Sequence, residues 1–237
     1  MFDTRVMFDN IVKIDGCVNH ALKWRHVFQG HLTPRHSEKQ MAGVRQFDES
    51  LALDKALALF WQKGYAATSM QELAEATGVQ RGSLYNAYGD KETLFLRVFD
   101  VYRERFVGQM REALDKPRLR DALRSFFGCV IVSMTTSMGS GMPTRGCLST
   151  KTAVGTEDLD GPLRTALKAL LDDIEQVLFE RLSREGEPSQ LALPPRQAAR
   201  LIVTFTRGLV VVERVYQDEK RLRAAADNLV AVLLGVA

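Results

Sequence analysis

The residues best suited to nucleophilic or metal chemistry are confined to one part of this chain. Four of its 237 residues are histidines, and all of them precede Met41: His20, His26, His31 and His36. A Ser-His or Cys-His nucleophile pair is therefore excluded from residues 41–237, as is a histidine-rich metal site. The histidines stand six, five and five residues apart, so no pair falls at i,i+4 on one helical face. We therefore predict no catalytic residues, no metal site and no cofactor.

The cysteines point to a reducing environment. Cys17, Cys129 and Cys147 are odd in number and far apart, which is typical of reduced thiols rather than of a disulfide framework. Cys147 lies two residues after Arg145, a neighbour that favours a thiolate. Two interpretations of Cys147 stay open: a sensor thiol, and a small buried apolar residue at the start of a helix.

A cluster of polar side chains between residues 80 and 86 lies within a pattern of two short helices. Ser69 and Glu72 have capping-box spacing, which predicts a helix that ends at Gly78, and a second helix follows over about residues 81–87. Two short helices joined by a tight turn form a helix-turn-helix, whose second helix fits the major groove of B-DNA. Its outward face carries residue types that read base edges or bind phosphate: Gln80, Arg81, Ser83 and Asn86.

The rest of the sequence supplies helices that position this motif. Apolar residues at i, i+3, i+4, i+7 and i+8, from Leu53 to Trp61, predict a core-facing first helix that stops at Gly64. Asp90 is placed to cap a long helix. Five more helices are predicted at about residues 118–137, 148–155, 160–184, 195–216 and 220–234. Because no convincing strand alternation accompanies them, we predict an all-α protein.

The overall composition is that of an ordinary folded protein, with 46% hydrophobic and 26% charged residues. The formal net charge of +3 is too small to indicate a partner by itself. The longest apolar run, residues 126–132, is far shorter than the ~20 residues that span a bilayer. The first residues also lack the apolar core of a secretory signal. We therefore expect a cytoplasmic protein with no membrane partner.

Residues 48–106 resemble the TetR/AcrR family of transcriptional regulators. The resemblance rests on an ordered series of short matches: Phe60–Tyr65, Thr68–Ser69, Ala74, Gly78–Val79, Arg81–Tyr85, Lys91–Glu92 and Leu94–Phe95. It implies an N-terminal three-helix helix-turn-helix DNA-binding domain followed by a helical ligand-binding and dimerisation bundle. It also implies a ligand-responsive regulator, by default a repressor, that binds a palindromic DNA operator as a homodimer and is released by a small, mostly apolar effector.

The resemblance divides the chain into three parts. Residues 42–92 are expected to form the DNA-binding domain, and residues 93–237 the effector-binding and dimerisation domain. Residues 1–41 keep no sustained helical or strand period and are treated as an extension of unknown role. A start codon assigned too far upstream would account for such an extension.

The family's DNA contacts carry over to matching positions of this sequence. Thr68, Tyr85 and Lys91 are expected to meet phosphates, Thr68 through its hydroxyl and the free N–H groups at a helix N-terminus. Arg45 is either an arm that contacts phosphate or the minor groove, or a free surface arginine. The predicted groove residues are Gln80, Arg81, Ser83 and Asn86. For each of these contacts the alternative is a solvated polar residue on a helix surface. Nine basic residues against eleven acidic ones between residues 42 and 115 give a net charge of −2, so affinity should depend on a few placed cations and on two copies binding together.

The helices after residue 110 are more apolar, and the resemblance assigns them effector binding and dimerisation. Aromatic and other large apolar residues at helical spacing are the candidate pocket: Tyr102, Phe106, Phe126, Phe127, Val130, Met134 and Phe179. Two apolar stripes on the last two helices are the candidate dimer interface: Leu201, Ile202, Phe205, Leu209, Leu222, Ala226, Leu229, Val230 and Leu233. For both sets the alternative is that the side chains pack into the protein's own core.

Two other classes of protein remain possible at this point. An enzyme would have to rely on carboxylates or lysine, and the close acidic cluster of Glu157, Asp158 and Asp160 is typical of an exposed loop at a helix start. A helical adaptor that binds only protein is the second alternative.

Overall fold

The computed structural model describes residues 47–136, 144, 146–156, 159 and 161–235. The predicted extension over residues 1–41, the four histidines, Arg45 and Arg145 lie outside the described residues. Residues 50–237 form one compact unit, which contains the helices described here, the first of them beginning one residue earlier.

Three helices make the N-terminal part of this unit: α1 (Glu49–Lys63), α2 (Met70–Thr77) and α3 (Arg81–Tyr88). Helix α1 buries the apolar stripe that its spacing predicts, including the fully buried Phe60. Between α2 and α3, Gly78 has a φ of +73° and donates its N–H to the Ala74 carbonyl. Because L side chains rarely adopt this left-handed conformation, glycine suits the tight turn. The predicted helix-turn-helix is confirmed.

Helix α4 (Lys91–Leu114) connects this motif with the helices that follow. Asp90 caps it, since its carboxylate accepts the Thr93 N–H at 2.7 Å. A row of aromatic rings in successive contact runs along it: Phe60, Phe95, Phe99, Tyr102 and Phe106, with centroids 5.0–5.6 Å apart. One apolar core therefore continues from the helix-turn-helix into the rest of the chain.

Five further helices complete the fold: α5 (Leu119–Thr135), α6 (Leu148–Gly155), α7 (Gly161–Leu182), α8 (Pro195–Tyr216) and α9 (Glu219–Leu233). Helix α4 packs against α5 and α7, α8 packs mainly on α7 and also on α5, and α9 packs on α5. The predicted all-α class is confirmed, with the helix-turn-helix before the remaining helices. None of the helices described is long and apolar enough to cross a membrane.

A buried arginine joins α7 to the end of α4. The Arg181 side chain is 2% exposed and donates from Nε to the Leu114 carbonyl at 3.2 Å and from Nη2 to the Lys116 carbonyl at 3.2 Å. Its Nη1 donates to the Glu187 carboxylate at 2.7 Å. These bonds add a donor to two carbonyls at and just after the end of α4, of which that of Leu114 also accepts the Lys116 N–H at 3.0 Å. They hold the end of α4 against α7.

Replacing Arg181 by Met is expected to lower the free energy of unfolding by ~3 kcal/mol, because the buried Glu187 carboxylate loses its ion pair and two backbone carbonyls each lose a donor. Urea denaturation followed by circular dichroism measures the loss. The matched control is Arg184→Met, whose ion pair with Asp115 is exposed and 3.9 Å long, and it should change stability by less than ~0.5 kcal/mol. Equal losses in the two variants would contradict this assignment.

Candidate nucleic-acid interface

The N-terminus of α2 is fixed by a capping box. Ser69 Oγ accepts the Glu72 N–H at 3.2 Å, and Glu72 Oε2 accepts the Ser69 N–H at 2.8 Å. Lys63, at the end of α1, also donates to the Glu72 carboxylate. The hydrogen bond from Lys63 and those from Ser69 lower the pKa of Glu72 to about 2. At neutral pH the ionised carboxylate therefore holds the loop before α2 against α1.

Thr68 differs from its predicted role. Its side chain is buried, and its hydroxyl donates to the Gly64 carbonyl at 2.7 Å instead of facing solvent. The hydroxyl is used inside the loop because Gly64 ends α1 with a φ of +84° and turns its carbonyl toward Thr68. The N–H groups of Met70 and Gln71, in the first turn of α2, have no acceptor among the described residues. Thr68 therefore fixes the loop, whereas the following residues present free donors.

Side chains from α3 and α4 surround this helix terminus. An open cleft of ≈560 Å³ is lined by residues 66–71 together with Arg81, Tyr85 and Lys91. The Lys91 Nζ donates to the Tyr65 carbonyl at 3.1 Å and the Ala66 carbonyl at 3.4 Å, and it lies 4.4 Å from the Tyr65 ring centroid. Partial burial lowers the pKa of Lys91. The fold thus brings two cations and a phenol to the N-terminus of α2.

Arg81 and Tyr85 form a pair on the surface of α3. The Arg81 guanidinium lies 5.4 Å from the Tyr85 ring centroid, and its Nη2 donates to the phenolic oxygen at 3.3 Å. Tyr85 is 38% exposed. One turn apart on the same helix, the two side chains orient each other toward the cleft.

The other predicted groove residues lie on the accessible side of α3. Gln80 and Asn86 are exposed, and Ser83 is half-buried. Leu84 is the fully buried residue that holds this helix to the core. Gly82 also lies on the outer side, and a Cβ placed there would meet nothing within 4 Å. The backbone of α3 is therefore open to close approach.

Gln71 and Ser69 line the cleft but were not among the predicted contacts. Gln71 is exposed, and its amide donates to Glu75 at 2.8 Å. The capping box gives these positions a place at a helix start, and its spacing is visible in the sequence. Their proximity to Lys91 depends on the packing of α4, which local spacing does not reveal.

The candidate pocket residues lie almost entirely in the core. Six of the seven are 7% exposed or less: Tyr102, Phe106, Phe126, Phe127, Val130 and Met134. The seventh, Phe179, is half-buried under Arg196, whose guanidinium carbon lies 3.6 Å from the ring centroid. Of the seven, Phe127 also lines a groove of ≈400 Å³ between α5 and α9.

The candidate dimer residues divide into two groups. Six of the nine pack inside the protomer at 5% exposure or less: Ile202, Leu209, Leu222, Ala226, Val230 and Leu233. Their side chains have no free surface for a second copy, because the apolar stripe of each helix faces α5 or α7. Leu201 is 39% exposed, and Phe205 and Leu229 are half-buried. The large apolar side chains that α8 and α9 do expose are Leu201, Val211, Val215, Tyr216 and Val232.

Cys147 has an arginine neighbour from a distant helix. Arg207 of α8 places Nη1 3.5 Å from the Cys147 Sγ, and Ser149 Oγ lies 3.1 Å from the same sulfur. Burial raises the pKa of the thiol, but Arg207 and hydrogen bonds from Ser149 and Thr150 outweigh it, so the pKa lies below the ordinary value. Among the described residues, no three His, Cys, Asp or Glu side chains are grouped to hold a metal ion.

Two family models match the sequence. The model described as "Bacterial regulatory proteins, tetR family" matches residues 52–98, which include α2, α3 and the start of α4. The model described as "Transcriptional regulator LmrA/YxaF-like, C-terminal domain" matches residues 121–228, from α5 into α9.

Individual proteins agree with both matches. The transcriptional repressor ComR of Escherichia coli is 39% identical over 95 residues, which are 39% of this chain and 45% of ComR. The uncharacterised regulator YezE of Bacillus subtilis is 26% identical over 197 residues, 81% of this chain and 100% of YezE. The chain thus spans less than half of the first relative and all of the second.

A solved structure extends the likeness to three dimensions. The TetR family regulator CifR, a cysteine mutant complexed with 26-bp operator DNA, is 26% identical and has a TM-score of 0.70, covering 81% of this chain and 100% of CifR. The helix-turn-helix, the helical body and both family matches agree. The chain belongs to the TetR family of transcriptional regulators.

Proposed function

We propose that this regulator is a repressor that binds a palindromic DNA operator as a homodimer and is released by a small, mostly apolar effector. The observation that carries the DNA part is the cleft in which Lys91, Arg81 and Tyr85 surround the free N–H groups of α2, beside the exposed face of α3. The likeness to CifR, solved on operator DNA, supports it, as does the repressor ComR.

The cleft suits a DNA phosphate. The N–H groups of Met70 and Gln71 point out of the positive end of α2, where an anion is stabilised. Lys91 and Tyr85 add donors from two other elements, so one phosphate oxygen is met from several directions. With a phosphate there, α3 enters the major groove with Gln80, Arg81, Ser83 and Asn86 toward the base edges.

The charge of the domain makes dimerisation important. With a net charge of −2 over residues 42–115, one copy has little general attraction for DNA. Two copies that bind successive major-groove faces ~34–36 Å apart raise the effective concentration of the second contact. A palindromic operator follows from the two-fold symmetry of such a dimer.

The second copy is expected on the outer face of α8 and α9. Leu201, Val211 and Val215 follow one side of α8, exposed by 39%, 59% and 70%. The exposed Thr204 and Gly208 lie on the same side, and such small residues allow two helices to approach closely. Val232 adds an exposed apolar side chain on α9. This surface keeps Leu201 from the stripes that the sequence suggested, and it leaves out the six stripe residues that lie in the core.

The effector is expected to act through α4. This helix begins at the cleft with Lys91 and continues into the bundle, where Tyr102 and Phe106 are buried among apolar residues. A ligand that displaces these rings must be mostly apolar, and it tilts α4 relative to its partners. The tilt changes the separation of the two recognition helices while each remains folded. We therefore expect ligand binding to relieve repression.

Mutations should distinguish the residues that contact phosphates from those that contact bases. Lys91→Met and Tyr85→Phe remove phosphate donors, so each should weaken all DNA sequences about equally, and Lys91→Met should reduce the salt slope by ~1. Asn86→Ala should instead relax the preference at particular base pairs by ~1–3 kcal/mol. Fluorescence anisotropy against operator variants, with the operator selected from random DNA by the wild-type protein, measures both.

Lys168→Met is the control for these DNA measurements. Lys168 is exposed on α7 and pairs with Asp172, so its loss should leave operator affinity unchanged. Unchanged affinity in the Lys91→Met, Tyr85→Phe double variant would overturn the phosphate assignment.

Val215→Asp is expected to convert the dimer to a monomer, because it places a charge in the apolar surface shared by two copies of α8. Sedimentation velocity at micromolar concentration checks this, and operator affinity should fall by ~100-fold with the loss of the second contact. Val154→Asp is the matched control, since Val154 is 80% exposed on α6, outside this surface. A Val215→Asp protein that remains dimeric would place the interface elsewhere.

A further inference from the structure

Residues of one segment before and within α6 bind the C-terminal end of α1. Lys151 donates its ammonium to the Trp61 carbonyl and, at 3.2 Å, to the Gln62 carbonyl. In return the Trp61 indole N–H donates to the Gly146 carbonyl at 3.1 Å. The Lys151 methylenes also pack on Gly64, where a Cβ would approach them to 3.4 Å. We call residues 144 and 146–151 the strut.

The same segment is held to α8 on its other side. The Thr144 hydroxyl donates to the buried Glu213 carboxylate at 2.6 Å, and Arg214 donates to the Thr144 carbonyl at 3.3 Å. Nearer the start of α6, Arg207 donates to Ser149 Oγ at 3.0 Å and lies 3.5 Å from the Cys147 sulfur. The strut therefore contacts α8 at two levels separated by about two helical turns.

The end of α1 attracts the Lys151 ammonium, although burial and the nearby Arg214 lower its pKa. The C-terminal end of a helix carries partial negative charge on carbonyls that have no intrahelical donor, and a lysine placed there is stabilised. Lys151 supplies this cation from a distant part of the chain, with an ammonium half withdrawn from solvent. Breaking the contact would leave the carbonyls at the end of α1 without this donor.

The end of α1 leads directly to the cleft. Gly64 accepts the Thr68 hydroxyl, and the Tyr65 and Ala66 carbonyls accept the Lys91 ammonium. The loop before α2 is thus fixed on one side by α4 and on the other by the end of α1, which the strut contacts. Because α8 carries the proposed dimer surface, the strut connects that surface to the DNA-binding helices by a path that does not pass through α4.

We propose that the strut fixes the DNA-binding helices relative to α8, and that Lys151 is thereby a positioning residue that sets the operator half-site spacing the dimer accepts. The proposal rests on the operator-binding function proposed above. Adding one base pair between the half-sites increases their separation by ~3.4 Å and rotates one relative to the other by ~35° about the DNA axis. If the strut is rigid, the two DNA-binding domains cannot adjust to the changed spacing, and the dimer loses affinity for the operator. If the strut is loosened, each DNA-binding domain can move to its half-site.

The test compares spacing preference in wild-type protein and Lys151→Met. Methionine retains an apolar stem against Gly64 and removes the ammonium. Operators selected by the wild-type protein are lengthened or shortened by one base pair at the centre, and affinities are measured by fluorescence anisotropy. The wild-type protein should lose affinity for both changed spacings, and in Lys151→Met the ratio of matched to changed affinity should fall by about fivefold or more.

The ratio separates positioning from stability. A variant that is merely less stable loses affinity for all three operators alike, so its ratio stays that of the wild type. Trp61→Phe, which removes the indole donor to Gly146 and keeps an aromatic ring, is the second variant should Lys151→Met fail to fold. Lys168→Met is the matched control and should keep the wild-type ratio.

Each outcome has one meaning. A wild-type protein that selects no DNA overturns the proposed function itself. If it selects DNA and shows no spacing preference, or if Lys151→Met and Trp61→Phe both keep the wild-type ratio, the role of the strut is overturned while the function stands. A lower ratio of matched to changed affinity in either variant, with the control unchanged, supports the proposed role of the strut.

Discussion

The packing of α1 against α4 is the contact on which the nucleic-acid surface depends. Phe60 and Phe95 are fully buried and meet edge to face at 5.0 Å, and Tyr65 of the loop before α2 meets Phe95 at the same distance. Helices α2 and α3 have only eight residues each, too few to be stable alone in water. Their orientation, and with it that of the side chains proposed to contact DNA, is therefore set by this larger aromatic contact.

The candidate nucleic-acid interface is distinguished by a few positively charged side chains in fixed positions, rather than by an excess of positive charge. Lys91 is held between two carbonyls and the Tyr65 ring, and Arg81 is held against Tyr85. Ordering these side chains before binding lowers the conformational entropy lost on meeting a phosphate. A net acidic domain with a few ordered cations also has little general affinity for nucleic acid, so the proposed binding depends on geometry and on the proposed second copy.

Two connections join the DNA-binding helices to the rest of the molecule, and they differ in kind. Helix α4 is continuous and apolar, with aromatic rings in contact along its length, so it responds to a change in packing. The strut is polar and depends on a few hydrogen bonds to the end of α1 and to α8. In a bundle held in these two ways, α4 can shift while the strut limits the movement.

The sequence by itself determined the fold class, the helix-turn-helix and the family, because these depend on local signals. The capping box of Ser69 and Glu72 and the turn at Gly78 each lie within a few residues, and helical periodicity marks every long helix. Periodicity also found the apolar stripes of α8 and α9. It could not tell which side faces the protomer's own core, because that depends on where α5 and α7 lie.

Only the tertiary structure decided how distant residues meet. Thr68 has the right type and place for a phosphate contact, yet its hydroxyl is used by Gly64. Lys151 binds the end of α1 across 90 residues of chain, and Arg207 lies beside Cys147 across 60 residues. Such contacts leave no local pattern, since they arise from the packing of helices that are far apart in the chain.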